Sequence, residues 1–201
     1  MSYSCWTSCN CKYCRVFRIN NYFFYDVYNT PANPFPANVE RFTQDWATFL
    51  IPNSETDPDK RKSYLPVIDT EAVKELVAHV HSTGAKAMLY NMIYAVSLEE
   101  GVPNEVKSAI VRNLQDHFNF GKKGDVTATD IQQFLDPGDP NWQKFIIEVM
   151  TKAMKEGNFD GWQGDTMGSN WVEKVSEPGK GFSLSEHYPE LATAATEALK
   201  K

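Results

Sequence analysis

Two amphipathic helices, each followed by a glycine and then by an apolar segment, constrain the fold of this chain most. Residues 70–82 repeat apolar side chains at intervals of three and four, with Thr70 placed to cap the helix and Gly84 after its end. Residues 139–156 repeat the arrangement, with Asp139 as the cap and Gly157 as the stop. The sequence therefore predicts two units in which a helix leads through a tight turn into a strand.

Three short apolar segments have the composition of strands that are buried on both faces. They are residues 22–25, 86–94 and 159–164. A further amphipathic helix is predicted over residues 186–200. The alternation of strands and helices predicts an α/β fold with parallel strands. Neither of the common glycine-rich phosphate-binding motifs is present in the sequence, which favours a barrel with long loops on one face.

The segments between these elements carry weaker signals. Short helices are predicted within residues 39–51 and 104–115, and residues 168–181 have the composition of an irregular loop. Trp142 lies on the apolar stripe of its helix and is predicted to be in the core.

Polar residues gather where each predicted strand ends. They are Asp26 after the first strand, Tyr90, Asn91 and Tyr94 in the second, and Gln163 and Asp165 at the third. The carboxyl ends of parallel strands lie at one edge of a sheet or barrel, and ligands bind at that edge. Aromatic faces and amides suit a sugar ligand, although ordinary packing would account for the same residues.

Asp165 is the leading candidate for chemistry. It follows a glycine-rich strand in the stretch G-N-F-D-G-W-Q-G-D-T-M-G, residues 157–168. A carboxylate there could attack an electrophilic carbon or stabilise an oxocarbenium ion, and equally it could cap the loop that follows. Asp160, earlier in the stretch, is expected to tie down the turn around Gly157 and Gly161. Asp26, at the end of the first strand, could contact a polar ligand and equally could serve as a cap.

Composition excludes several classes of partner. The 201 residues carry a net charge of −6 without a basic patch, so nucleic acid is not expected. No apolar run approaches the ~18 residues of a membrane span, and a signal peptide is not apparent. We expect no membrane partner.

The N-terminal residues 1–17 are treated as a separate, cysteine-rich tail. Its four cysteines are Cys5, Cys9, Cys11 and Cys14. Four thiolates could bind zinc, but structural zinc sites normally use two ligand pairs that a longer loop separates. An irregular tail is the simpler interpretation, and a metal-binding module is the alternative.

Four blocks of the sequence together resemble glycoside hydrolase family 66, the endo-dextranases and cycloisomaltooligosaccharide glucanotransferases. In chain order they are I-N-N-Y-F-F-Y-D (19–26), K-A-M-L-Y-N-M-I-Y-A (86–95), F-L-D-P-G-D-P-N-W-Q (134–143) and F-D-G-W-Q-G-D-T-M-G (159–168). The resemblance implies a (β/α)8 barrel that cleaves α-1,6-glucan with retention and without a cofactor. It aligns Asp165 with the nucleophile and leaves hydrolysis and transglycosylation as alternatives.

The chain departs from this family after Asp165. The family's acid/base glutamate lies on a later strand, and Glu173, Glu177 and Glu186 do not match its context. Residues 18–201 are therefore expected to form a partial (β/α)8 TIM barrel, about strands 2–4, that is inactive or nearly so on dextran. An uncovered half-barrel could self-associate. The alternative is a carbohydrate-binding remnant without turnover. The resemblance implies secretion, which the sequence itself does not support, so localisation stays open.

Overall fold

The computed structural model describes residues 20–25, 27–44, 50–97, 101–114, 132–165 and 170–200. Within these ranges the chain forms the following elements. The strands are β1 (Asn21–Phe24), β2 (Arg41–Thr43), β3 (Val67–Asp69), β4 (Lys86–Met92), β5 (Ala95–Ser97), β6 (Val111–Asn113), β7 (Gln132–Phe134), β8 (Gly161–Asp165), β9 (Trp171–Lys174) and β10 (Gly181–Ser183). The α-helices are α1 (Pro58–Ser63), α2 (Thr70–Ser82), α3 (Pro140–Gly157) and α4 (Tyr188–Leu199).

A parallel sheet of β1, β4 and β8, with β4 in the middle, positions the candidate site. In its register Phe24 pairs with Leu89, Leu89 pairs with Trp162, and Met92 pairs with Asp165. The three strands are those predicted from sequence, with small shifts in their ends. The parallel sheet confirms the predicted α/β class.

The two faces of this sheet differ in burial. Ala87, Leu89 and Asn91 alternate along β4 and are fully buried on the face that α2 and α3 cover. On the opposite face Phe23 and Tyr25 are 50% and 46% exposed. Among the described residues, helices therefore cover one face of the sheet, whereas an open doubly wound sheet carries helices on both faces.

The helix ends correct two sequence predictions. The cap of α2 is Asp69, whose carboxylate accepts a hydrogen bond from the Ala72 amide, and not Thr70. The Thr70 hydroxyl instead donates to the carbonyl of Glu40 at 2.6 Å, which anchors the helix start to the preceding loop. At the end of α3 the stop is Asn158, which adopts the left-handed conformation with φ 57°, rather than Gly157.

Helix α3 forms as predicted, with Asp139 accepting hydrogen bonds from the amides of its first turn. Trp142 is fully buried, and its indole N–H donates to the carbonyl of Ile93 at 2.9 Å. In the part of the chain that the structure describes, no helix is long and apolar enough to cross a membrane.

Antiparallel pairings occupy the segments between the parallel strands and the segment that follows β8. They are β2 with β3, β5 with β7, and a three-stranded sheet in the order β10-β9-β6. Residues Arg41–Thr43 form a strand where a helix was predicted, because they pair with β3, which follows about 25 residues later in the chain. Residues Asn104–Ala109 form a 3-10 helix that leads into β6, and β9 lies within the segment predicted to be a loop.

Candidate active site

Asp165 lies at the carboxyl edge of the parallel sheet, as the last residue of β8. Its side chain is half-buried, and its Oδ2 atom accepts a hydrogen bond of 3.1 Å from the hydroxyl of Tyr90. Tyr90 belongs to β4 and points to the sheet face that the helices leave uncovered. The contact therefore links the middle strand to the last one directly at the predicted site.

Two tyrosine rings hold Tyr90 in place. The ring of Tyr28, which is fully buried, meets Tyr90 edge-on at a centroid distance of 5.1 Å, and the ring of Tyr25 lies tilted against it at 5.1 Å. Burial raises the pKa of Tyr90, and the charge and hydrogen bond of Asp165 raise it further. Tyr90 is thus a neutral donor to Asp165 at physiological pH.

Tyr25 and Tyr28 were not predicted as site residues. Both follow the end of β1 closely, and Tyr25 repeats the two-residue spacing of Phe23 on the uncovered face. The two-residue spacing is the feature of the sequence that could have identified Tyr25 as a site residue. The sequence does not reveal which of the two faces lacks helices.

Gln163 accompanies Tyr90 at the site. The two residues are paired in the register of β4 and β8, so their side chains leave the same face of the sheet. The Oε1 atom of Gln163 is buried, and none of the described residues donates a hydrogen bond to it. A hydroxyl group bound beside Tyr90 would satisfy this acceptor.

Asn91 and Tyr94 lie away from this surface. The amide of Asn91 points to the helix-covered face, where it donates to the carbonyl of Pro31 at 3.1 Å. Tyr94 is fully buried, and its ring packs edge-on against Phe134 at 5.0 Å. The structure brings Tyr90 and Gln163 to Asp165, while Asn91 and Tyr94 make packing contacts.

Two of the sequence predictions fall outside the described residues. Asp26 directly follows the described Tyr25, and the cysteines Cys5, Cys9, Cys11 and Cys14 all precede residue 20. Among the residues that are described, no group of three or more His, Cys, Asp or Glu side chains is arranged to hold a metal ion.

Asp160 forms an ion-pair network near the amino end of β8. Its carboxylate accepts hydrogen bonds of 2.7 Å from Lys86, 2.8 Å from the Ala87 amide and 2.7 Å from His81. Partial burial opposes ionisation, but these donors outweigh it and lower the pKa of Asp160 to about 2. The expectation that Asp160 ties down its own turn was wrong, because its partners lie on α2 and β4.

A second polar cluster lies where β9 and α4 meet the loop before α3. Asp136 is 1% exposed, forms an ion pair with Lys174 at 2.9 Å and accepts a hydrogen bond from His187 at 2.5 Å. Lys174 also contacts Asp139 at 3.2 Å. The sequence gives no sign of this contact, because His187 and Asp136 are 51 residues apart. The cluster lines a cavity of about 300 Å³ that includes Phe182.

These observations define an α/β protein with an acidic, aromatic-lined site at the carboxyl edge of a parallel sheet, an arrangement common among α/β enzymes. The chain belongs to glycosyl hydrolase family 66, whose model matches residues 10–201. This confirms the resemblance that the four sequence blocks indicated.

Two relatives describe the similarity further. The chain is 46% identical over 159 residues to a dextranase of Streptococcus salivarius, covering 77% of this chain and 17% of the dextranase. It also resembles the crystal structure of a Paenibacillus cycloisomaltooligosaccharide glucanotransferase complexed with cycloisomaltoheptaose, with a TM-score of 0.60 and 17% identity. That match covers 90% of this chain and 24% of the glucanotransferase. The chain thus spans a minor part of the length of both relatives.

Proposed function

We propose that this chain carries the nucleophile side of a retaining α-1,6-glucan-cleaving site, with Asp165 as the nucleophile. The observation that carries the proposal is the position of Asp165 at the carboxyl edge of the sheet, with its carboxylate hydrogen-bonded to Tyr90. Family membership and the similarity to a dextranase support α-1,6-glucan as the substrate class.

The parallel strands β1, β4 and β8 are, in this proposal, strands 2–4 of a (β/α)8 barrel. Two features support it: in the part of the chain that the structure describes, helices cover one face of the sheet, and the chain resembles the fold of a family-66 glucanotransferase. The uncovered face, with Phe23 and Tyr25, would then be the inner wall of the barrel.

The glycosyl ring would lie between Asp165 and the exposed ring of Tyr25. Tyr25 offers an apolar face for a pyranose ring, and the unsatisfied Oε1 atom of Gln163 offers an acceptor for a sugar hydroxyl. Asp26 would add a second polar contact from the end of β1. Asn91 and Tyr94 would contribute indirectly, because their buried contacts fix the carboxyl end of β4.

In the chemical step an oxygen of Asp165 attacks the anomeric carbon as the glycosidic bond breaks, and a glycosyl ester forms. A retaining enzyme then needs a second carboxyl group ~5–5.5 Å from the first, which protonates the leaving oxygen and later activates water.

Three of the glutamates that follow Asp165 have structural partners. Glu173 contacts Arg112 and the Gly179 amide, Glu177 pairs with Lys180, and Glu186 closes a capping box with Ser183. We assign the acid/base role to none of them. The chain alone should therefore turn over dextran very slowly at most.

An activated substrate tests the nucleophile's role separately from that of the general acid. Fluoride leaves without protonation, so α-isomaltosyl fluoride should release fluoride and form an ester on Asp165 even when no general acid is present. The measurements are fluoride release by electrode and intact mass after an acid quench. Asp165→Asn should abolish both signals, whereas Asp160→Asn, at the other end of the same strand, should retain them.

Two results would overturn this proposal. One is a mass adduct that persists in the Asp165→Asn variant. The other is rapid hydrolysis of dextran by the chain alone, because such activity requires both carboxyl groups to be present.

The uncovered sheet face also supports a proposal of self-association with a second copy of the chain. Within the described residues the outer strands β1 and β8 pair only with β4, and Phe23 beside the edge is 50% exposed. Sedimentation velocity should reveal a concentration-dependent dimer that Phe23→Ser weakens. A monomer over the whole concentration range would contradict this.

A further inference from the structure

Trp171 is an exposed aromatic residue on the antiparallel sheet of β6, β9 and β10. It is 41% exposed, although tryptophan is usually well buried. Its indole rests on Gly181 of the neighbouring strand: a Cβ atom at position 181 would lie 2.5 Å from the indole Nε1. Leu114 lies beside the same position, with its Cδ1 atom 3.1 Å from that Cβ. The glycine thus makes room for the indole to lie against the sheet, while much of its surface stays exposed.

An ion pair lies on the same face of this sheet. Arg112, Glu173 and Gly181 are paired across the three strands, and Trp171 is two residues before Glu173 on β9. Glu173 is 9% exposed and contacts the Arg112 guanidinium at 3.5 Å and the Gly179 amide at 2.9 Å. Arg112 is therefore a diagonal neighbour of Trp171, at a distance that long side chains bridge. Its side chain is 35% exposed.

This combination suits a pyranose ring. An indole held against a sheet offers an apolar surface to the C–H face of a sugar, and an oriented guanidinium donates to hydroxyl groups at the ring's edge. The buried Glu173 keeps the guanidinium in position, so little order has to be gained on binding.

We propose that Trp171, with Arg112, forms a second binding site for glucosyl units of an α-glucan chain, separate from the site at Asp165. The choice of glucan as the ligand rests on the proposed function. Trp171 follows Asp165 by six residues (171 − 165), so their Cα atoms are at most about 22 Å apart. This separation is within the length of a glucan chain of several units.

The test measures affinity of the chain for dextran and for linear isomaltoheptaose, by affinity electrophoresis and calorimetry. Trp171→Ala should weaken binding about tenfold, and Trp171→Tyr should retain part of it. Gly181→Ala should also weaken binding, because the new methyl group displaces an indole that is otherwise intact. The matched control is Tyr64→Ala, which removes an aromatic residue of similar exposure, 44%, on the end of α1.

Each outcome decides the proposal. Unchanged affinity in a folded Trp171→Ala variant overturns it, and so does an equal loss in Tyr64→Ala, which would indicate nonspecific adsorption. A wild-type chain that does not bind isomaltoheptaose also overturns it. Asp165→Asn distinguishes the two sites: it should abolish the ester formed from isomaltosyl fluoride while leaving the Trp171-dependent affinity intact. If the ester fails to form but Trp171-dependent binding persists, the proposed function fails and the binding site stands.

Discussion

The Tyr90 hydroxyl lies 3.1 Å from Oδ2 of Asp165, although the two residues are not register partners. Tyr90 pairs with Gln163, so its hydroxyl reaches two residues further along β8 to meet the carboxylate at the edge of the sheet. The rings of Tyr25 and Tyr28 pack against the Tyr90 ring and hold its hydroxyl in this direction. One oxygen of Asp165 is thereby oriented by a neutral donor.

Tyr90→Phe removes this donor and keeps the ring packing. We expect the reaction of Asp165 with α-isomaltosyl fluoride to slow about tenfold, because the carboxylate loses its orientation. Stability should fall by only about 1 kcal/mol, since one hydrogen bond is lost. Mass spectrometry of samples quenched at successive times measures the rate, and urea unfolding measures the stability. Tyr25→Phe is the control, and an equal slowing in that variant would contradict the role assigned to the Tyr90 hydroxyl.

Asp160 should make the chain sensitive to acid. Its pKa is lowered from 3.8 to about 2, so it stabilises the fold above pH ~4, and that contribution is lost as the pH falls towards 2. We expect about 1 kcal/mol, which allows for the solvent exposure of Lys86. Urea unfolding at pH 7 and pH 2.5 should show that Asp160→Asn destabilises the fold clearly at pH 7 and by a smaller amount at pH 2.5. Glu75→Gln, an exposed change on α2, should show no such difference.

Lys174 neutralises two buried carboxylates. Burial alone would lower its pKa, but Asp136 and Asp139 outweigh this effect and raise it. Lys174→Met should cost about 3 kcal/mol, because it leaves both carboxylates buried without their cation. Thermal unfolding at pH 7 measures the loss. Lys180→Met, whose side chain is 81% exposed, should change the melting temperature little, and a similar drop there would contradict the argument.

Asn158 ends α3 in the left-handed conformation, with φ 57° and ψ 36°. Asn158→Ala should destabilise the fold by about 1 kcal/mol, because a Cβ without a compensating polar group is strained there. Asn158→Gly should equal or exceed the wild type in stability. Chemical denaturation measures the stability of both variants, and each serves as the control for the other. Equal stability of Asn158→Ala and Asn158→Gly would exclude the conformational explanation.

The sequence predicted the elements whose signals are local. Helix α2 has the predicted bounds, and the three parallel strands follow from short apolar runs between helices. Asp165 was expected at a strand end for the same reason, and the structure places it there. Strand β9 was missed because its pairing with β6 depends on residues about 60 positions earlier.

The sequence could not assign side chains to the two faces of β4. In K-A-M-L-Y-N-M both faces are apolar, as in other parallel strands, so periodicity does not tell which face meets the helices. Tyr90 and Asn91 are adjacent and were treated alike, yet one meets Asp165 and the other faces α3. The partners of Asp160 and Asp136 are also distant in sequence: His81 is 79 residues from Asp160, and His187 is 51 residues from Asp136.

The Asp160 network and Asp165 lie at opposite ends of β8. Five residues of strand (165 − 160) separate them, a length of about 16 Å. Substitutions that far apart, without shared partners, generally have additive effects. A directed-evolution library confined to His81, Lys86 and Asp160 should therefore tune acid and heat resistance independently of substrate preference.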